Sequence, residues 1–189
     1  MLLFYGCYLI KMISQKKKGI KTDQIGIGKT GPVKFIELTM KAATYTVLIV
    51  EIASIIFNAS FFPMPVRIIG TFVGIAGVAI FTASVLTMQD SWRAGVSKTE
   101  KTKLVTRGIY QISRNPAFLG FDLVYISILM MFFNWVLLTA SIFAVVMLHL
   151  QIVNVEETFL IETFGADYLE YQKKVRRYLG IVPKPKAPL

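Results

Sequence analysis

Residues 117–153 read AFLGFDLVYISILMMFFNWVLLTASIFAVVMLHLQIV, and this stretch decides the fold. It divides into two apolar runs, 117–133 and 135–153, which meet at the dipeptide NW. A transmembrane helix needs roughly 20 mainly apolar residues, so each run is close to the length of one span. Because the join leaves almost no connecting chain, we expect the two runs to form an antiparallel helical hairpin.

Three further apolar runs precede the hairpin. Residues 1–13 are apolar but short, and the basic sequence KKKGIK follows them, so we interpret them as a short or partial first span. The second and third spans are expected within 38–60 and 66–88. Glycines at 70, 74 and 77 of the third span are typical of a helix that packs closely against a neighbour in lipid. The sequence therefore predicts an all-α, polytopic membrane bundle of about five transmembrane helices.

The composition and charge agree with a membrane protein. Hydrophobic residues make up 54% of the chain and charged residues 17%, whereas about a quarter of a soluble domain is charged. The net charge of +10 would suggest a nucleic-acid partner in a soluble protein. Here every lysine and arginine except Lys41 and Arg67 lies within 11–34, within 89–116 or after 153. Five spans with an external N-terminus place all three segments in the cytoplasm.

This charge pattern sets the expected surroundings of the protein. We expect a multi-pass protein in contact with membrane lipids and with no nucleic-acid partner. The expected location is a prokaryotic plasma membrane, or the endoplasmic reticulum in a eukaryote, with the functional site facing the cytoplasm.

Several polar motifs within this frame need separate interpretation. The sequence GIGKTG (26–31) lacks the earlier glycine of a phosphate loop, since that position is Asp23, and we interpret it as a flexible connector. His149 has no other ligand at metal-binding spacing, so no metal site is expected. Glu51 lies near the middle of the second span, where a carboxylate is a functional candidate, and pairing with His149 is one arrangement that would compensate its charge.

Three polar blocks are expected to converge beside the hairpin. They are TKLVTRGIYQISRNPAFLG (102–120), the pair Glu156 and Glu157, and FLIETFGADYLEYQKKVRRYLG (159–180). The hairpin brings the start of the fourth span beside the end of the fifth, so Arg114 to Pro116 should lie near the two glutamates. The proline suits a first helical turn, and the asparagine before it suits the helix cap.

The third block reads as two short helices. Gly165 is expected to end the first of them, as glycine commonly does. The second places Tyr168, Tyr171, Val175 and Tyr178 on one side and its basic residues largely elsewhere. This pattern predicts an amphipathic helix at the cytoplasmic surface of the membrane.

The sequences LVTRGIY (104–110), SRNPAFLG (113–120) and EETFLIETFGADYLEYQKKVRR (156–177) resemble, in order and spacing, the motifs of one enzyme family. It is the isoprenylcysteine carboxyl methyltransferase family with its phospholipid methyltransferase relatives. The resemblance covers about residues 86–180. It implies an integral membrane enzyme that uses S-adenosylmethionine to methylate a lipophilic or small acceptor, through a carboxylate, an amine or a thiol. The chain would then consist of N-terminal transmembrane helices, 1–88, and a methyltransferase core, 89–189.

The resemblance also implies roles for individual residues. Glu157 and Arg177 match positions near the reaction centre and are the catalytic candidates. The positions that match the cofactor-contacting stretches are Thr102, Lys103, Leu104, Val105, Tyr110, Asn115, Pro116, Ala117, Phe118 and Glu156. Carboxylates suit a cofactor that carries a sulfonium and an ammonium, above all where water is excluded.

Three positions depart from the family pattern. Asn115 stands where the family usually has histidine, and Phe118 stands where it usually has tyrosine. Asparagine can still form hydrogen bonds, so this change affects an acid–base role more than cofactor binding. Ile152 occupies the position of a basic residue that is usual in the prenylcysteine branch, which disfavours a prenylcysteine acceptor.

Two other functions compete with methyl transfer. Membrane sterol-type reductases share a similar C-terminal layout and use NADPH, but an Arg/Asp-rich stretch tends to stand where this chain has NVEET (154–158). The second alternative is a non-catalytic membrane binding protein on the same scaffold. Binding of the cofactor with no turnover of any acceptor would favour it.

Overall fold

A computed structural model describes residues 1–96 and 103–183, and apart from two isolated β-bridges the regular structure in these ranges is helical. Short 3-10 turns at Gln89–Ser91 and Gly108–Gln111 lie in the connection between the third and fourth helices. The helices are α1 (Leu2–Lys17), α2 (Gly31–Ile56), α3 (Met64–Met88), α4 (Pro116–Met131), α5 (Trp135–Gln151), α6 (Glu157–Phe164) and α7 (Ala166–Lys174).

Three helical stretches are long and apolar enough to cross a membrane: Gly31–Ile56, Met64–Ser91 and Trp135–Phe164. The predicted helical membrane bundle is therefore confirmed. α1 and α4 have 16 residues each, about 24 Å of helix, which is shorter than the roughly 30 Å of a hydrocarbon core. Phe4 near the start of α1 packs against Phe81 and Phe121 in the interior of the bundle, which agrees with a partial first span.

The helices begin and end where local chemistry favours it. Proline lies in the first turn of α2, α3 and α4, where its missing N–H costs nothing. α2 begins at Gly31, seven residues earlier than the expected 38, and ends at Ile56, shortly before Asn58 with its positive φ of 45°. Asn134 caps α5 by accepting a hydrogen bond from the Leu137 N–H at 2.9 Å, so the tight hairpin is confirmed.

α3 packs along α4 through glycines on both helices. A Cβ added at Gly120 would lie 2.8 Å from the Phe81 Cβ and 3.0 Å from the Gly77 carbonyl oxygen. One added at Gly77 would lie 3.1 Å from the Gly120 carbonyl oxygen. No side chain fits between backbones this close, so the prediction that small residues allow close packing of the third span is confirmed.

The alternating direction of the helices brings their ends to two opposite faces. One of them, here called the site face, holds the ends of α1, α3 and α5 and the starts of α2 and α4. There the Gln15 Nε2 donates to the Trp92 carbonyl at 2.8 Å, and Lys18 lies 2.8 Å from the Asp90 carboxylate. On the far face Arg67 donates to Asn58 at 3.1 Å. The basic segments of the described chain therefore share the site face.

The suggested pairing of Glu51 with His149 does not occur. His149 does not pair with Glu51, because it is exposed on the outer surface of α5, where its Nδ1 lies 2.6 Å from the Tyr178 hydroxyl. Glu51 is fully buried, and within 1–96 and 103–183 its carboxylate has no hydrogen-bond partner.

The segment that contains GIGKTG is anchored rather than flexible. The Gln24 N–H donates to the Ala94 carbonyl at 2.8 Å, and the Ala94 N–H donates to the Thr22 carbonyl at 3.0 Å. The Glu37 carboxylate accepts a hydrogen bond from the Gly26 N–H at 2.5 Å and also pairs with Lys29. This segment therefore belongs to the packed structure at the site face.

Candidate functional site

A cavity of about 210 Å³ opens at the site face, between the segment after α3, the start of α4 and the helices α6 and α7. Its walls are mainly apolar and aromatic, and the aromatic residues that line it include Tyr8, Trp92, Tyr110, Phe118, Phe121, Phe159, Phe164, Tyr168 and Tyr171. Such a cavity with a small number of polar groups is the usual form of a small-molecule site.

Most of the residues predicted for the cofactor site line this cavity. They are Lys103, Leu104, Val105, Tyr110, Asn115, Ala117, Phe118 and Glu156. Pro116 is buried as the first residue of α4 and is not among the lining residues. Thr102 lies outside the described residues. Glu157 and Arg177 are also not among the lining residues.

Glu156 reaches the cavity through an irregular turn of helix. α5 continues through one π-helical turn, Ile152–Glu156, directly into α6. A π turn is rare and inserts an extra residue into the helix, often at a functional site. Adjacent helical residues point about 100° apart, so Glu156 lines the cavity while Glu157 is directed elsewhere. No feature of the sequence predicted this turn.

Glu157 is held by two arginines. The Arg177 Nε and Nη2 both donate to its carboxylate at 2.9 Å, and the Arg114 Nη1 lies 3.0 Å from the same carboxylate. This hydrogen bonding further raises the pKa of the Arg177 guanidinium. Glu157 is only 7% exposed, and both of its oxygens are occupied, which favours a positioning role over proton abstraction.

Arg114 also links this ion pair to α7. Its Nη1 donates to the Tyr168 hydroxyl at 3.0 Å, and its guanidinium carbon lies 5.8 Å from the centre of that ring. Arg114 lines the cavity as well. The expectation that Arg114 lies near the glutamates is confirmed, although sequence reasoning did not select it as a site residue.

Asn115 occupies the cap position of α4, but its side chain does not cap the helix. Its backbone N–H and its side-chain Nδ2 instead both donate to the Arg177 carbonyl oxygen, at 3.2 Å and 3.1 Å. The Gly180 N–H donates to the Ile112 carbonyl at 2.8 Å. Together these bonds fasten the C-terminal segment to the loop before α4, which sets the position of Arg177.

α7 uses its tyrosines to close one side of the cavity. Tyr168 and Tyr171 pack with Tyr110 in a small apolar cluster, and the Tyr171 hydroxyl donates to the Tyr110 carbonyl at 2.5 Å. Burial raises the pKa of all three phenols, so they remain neutral at physiological pH. The predicted amphipathic helix is present but ends at Lys174, before Val175 and Tyr178.

Sequence reasoning missed one wall of the cavity. Residues 92–96, directly after the third span, line it. Their sequence carries no motif, and only their position beside the predicted blocks could have indicated them. Among the residues that the structure describes, no group of three or more His, Cys, Asp or Glu side chains could hold a metal ion.

Comparison with known proteins adds evidence that does not depend on this geometry. The family model of phospholipid methyltransferases matches residues 66–167. The protein-S-isoprenylcysteine O-methyltransferase of Saccharomyces cerevisiae is 32% identical over 123 residues, which cover 64% of this chain and 51% of that protein. The corresponding B protein of Arabidopsis thaliana is 35% identical over 82 residues, which cover 42% of this chain and 41% of that protein.

The protein of the same name from Schizosaccharomyces pombe is 33% identical over 82 residues, which cover 42% of this chain and 34% of that protein. The chain thus spans about a third to a half of the length of these curated relatives. The family match covers more than half of the chain and includes nearly all of α3, the helical hairpin and Glu156. The chain is therefore a member of the phospholipid methyltransferase family.

Proposed function

We propose that this protein is an integral membrane methyltransferase that uses S-adenosylmethionine and acts on a lipophilic or small acceptor at the site face. The observation that carries the proposal is the carboxylate of Glu156 at the wall of an aromatic cavity. A carboxylate in surroundings with little water is a strong partner for a cation. S-adenosylmethionine carries two cationic groups, a sulfonium and an ammonium.

The chemistry of the lining residues fits this cofactor. Glu156 would hold the cationic part, and the ammonium group of Lys103 is suited to the carboxylate of the cofactor. Tyr110 and Phe118 offer aromatic faces, which bind both planar bases and cations. Leu104, Val105, Asn115 and Ala117 complete the predicted wall, and Pro116 supports it by starting α4. Thr102 remains a proposed contact from sequence alone.

When bound, the cofactor supplies an electrophilic methyl group for an in-line displacement. The residues of this chain then need chiefly to align the acceptor and to exclude water, and alignment alone can supply about 7–11 kcal/mol. The largely apolar walls of the cavity and its place in a membrane protein suit an apolar acceptor.

Arg177 and Glu157 have different proposed roles in binding the acceptor. The side chain of Arg177 is 34% exposed, and its guanidinium is fixed by the ion pair with the buried Glu157. A guanidinium fixed in this way can orient an anionic acceptor. Glu157 acts as the positioning residue for both arginines. Of the candidate acceptors, a carboxylate needs no proton removed, so this arrangement favours it over an amine or a thiol.

The test is calorimetric titration of the detergent-purified protein with S-adenosylhomocysteine and, separately, with NADPH. We expect S-adenosylhomocysteine to bind, and Glu156→Gln to weaken its affinity by about tenfold or more, since a hydrogen bond to a charged group contributes about 1.5–3 kcal/mol. Glu170→Gln is the matched control, because this exposed residue on α7 contacts only Lys174 among the described ion pairs.

Each other result points to a different function. Binding of NADPH alone would replace the proposal with the sterol-type reductase. Binding of neither compound would favour a non-catalytic membrane protein on the same scaffold.

A further inference from the structure

A buried polar chain joins the N-terminal loop to the cavity. Glu37 in the second turn of α2 is fully buried. One of its carboxylate oxygens accepts a hydrogen bond from the Gly26 N–H at 2.5 Å, and the other pairs with Lys29. The side chain of Lys29 is itself only 9% exposed. An ion pair this far from water costs free energy to form, so it calls for an explanation beyond loop anchoring.

Gln151 continues the chain from Glu37 to Glu156. It is fully buried as the last residue of α5, directly before the π-helical turn. Its Nε2 donates to the Glu37 Oε1 at 3.4 Å, and the π-helical turn Ile152–Glu156 places Glu156 one turn further along the same helix. A side-chain amide has two N–H donors, so a single Gln151 can serve both carboxylates.

Among the described ion pairs, Lys29 is paired with Glu37 and no basic side chain is paired with Glu156. Glu156 lies within electrostatic range of both Glu37 and Lys29. Lys29 forms its ion pair with Glu37, which offsets the repulsion between the two carboxylates. The same pairing keeps the lysine from becoming the counter-ion of Glu156. The carboxylate that lines the cavity is thus left to a cationic ligand.

We propose that Glu37 is a positioning residue for the cofactor site, because it holds Lys29 and Gln151 so that Glu156 presents its charge to the cationic part of the cofactor. This inference rests on the proposed function. Residues 26–37 lie outside the matched region, 66–167, so the family comparison gives no indication of this role. The role belongs to the N-terminal part of the chain, which the sequence resemblance did not cover.

The test compares two ligands that differ in charge. S-adenosylmethionine carries the sulfonium and the ammonium, whereas 5′-methylthioadenosine carries neither. We expect Glu37→Gln to weaken binding of S-adenosylmethionine by about tenfold. Binding of 5′-methylthioadenosine should stay within about twofold of the wild type, because Glu156 has no cation to bind in it. A general disturbance of the fold would weaken both ligands alike.

Two further variants make the test specific. Gln151→Met removes the bridging amide, keeps the Lys29–Glu37 pair and should give the same selective loss. Asp23→Asn is the matched control, since Asp23 anchors the same loop through the Ile25 N–H and Lys41 but does not touch the chain to Glu156. It should leave the ratio of the two affinities unchanged.

The outcomes separate this inference from the proposed function. Equal losses for both ligands, or no loss in either Glu37→Gln or Gln151→Met, would overturn the positioning role while leaving the methyltransferase in place. A wild-type protein that binds no S-adenosylmethionine would overturn the proposed function, and the positioning role would fall with it.

Discussion

Glu156 and Glu157 are neighbours in sequence, yet their carboxylates have different surroundings. Glu156 lines the cavity, whereas Glu157 lies between Arg114 and Arg177. The two glutamates at the end of this apolar helix are therefore suited to different roles. One carboxylate is available to a cationic ligand, and the other compensates two guanidinium groups of the protein itself.

This difference leads to a prediction about stability at the residue scale. Glu157→Gln removes the carboxylate that forms the described ion pairs with both Arg114 and Arg177, and the side chain of Arg114 is just 9% exposed. Leaving a buried charge without its partner costs about 3–5 kcal/mol. We expect the free energy of unfolding to fall by about 3 kcal/mol, at the lower end of this range, because Arg177 is partly exposed. The measurement is the free energy of unfolding in mixed micelles titrated with dodecyl sulfate.

The matched control for this prediction is Glu170→Gln. Its ion pair with Lys174 is exposed, with side-chain exposures of 70% and 72%, and such pairs contribute at most about 0.5 kcal/mol. Adding Arg114→Met to Glu157→Gln should recover part of the loss, since it removes the unpaired charge. Equal costs for the two glutamine variants would show that Glu157 is not a buried counter-ion.

At the scale of helices, the contact between α3 and α4 depends on the absence of side chains. Gly120→Ala places a methyl group 2.8 Å from the Phe81 Cβ, against atoms of a neighbouring helix that cannot move aside cheaply. We expect this substitution to lower the free energy of unfolding by about 1–3 kcal/mol, the usual cost of overpacking. The same unfolding titration measures it.

Gly6→Ala provides the control for the helix contact. Gly6 lies within α1, and a Cβ there would meet nothing within 4 Å. Alanine is the better helix former, so this variant should be neutral or slightly more stable. A similar loss in both variants would mean that backbone conformation, and not the α3–α4 contact, determines the effect.

The same helices show how far sequence reasoning reaches. The hairpin, the glycine surface of the third span and the two short C-terminal helices each follow from a pattern within one segment. The π-helical turn before Glu157 has no such pattern. The bond between Glu37 and Gln151 joins residues 114 positions apart, and only the packing of α2 against α5 reveals it. Local patterns predicted residues that line one cavity, while tertiary contacts determine the surroundings of each carboxylate.

At the scale of the whole molecule, charge distinguishes the two faces. Within the described chain the far face carries Arg67, whereas the site face carries the basic residues of α1, α7 and the connecting loops. Positive residues in short loops remain preferentially on the cytoplasmic side. We therefore expect the cavity to open toward the cytoplasm, which is also the compartment that would supply a soluble cofactor.

Labelling of single cysteines tests this orientation. In a Cys7→Ser background, Ser60→Cys places a thiol in the loop between α2 and α3 on the far face, and Lys173→Cys places one on exposed α7 at the site face. A membrane-impermeant maleimide should label only the Ser60→Cys protein in intact cells and both proteins after permeabilisation. The reverse pattern would put the site face outside, against its positive charge, and would require an external source for the cationic ligand proposed for Glu156.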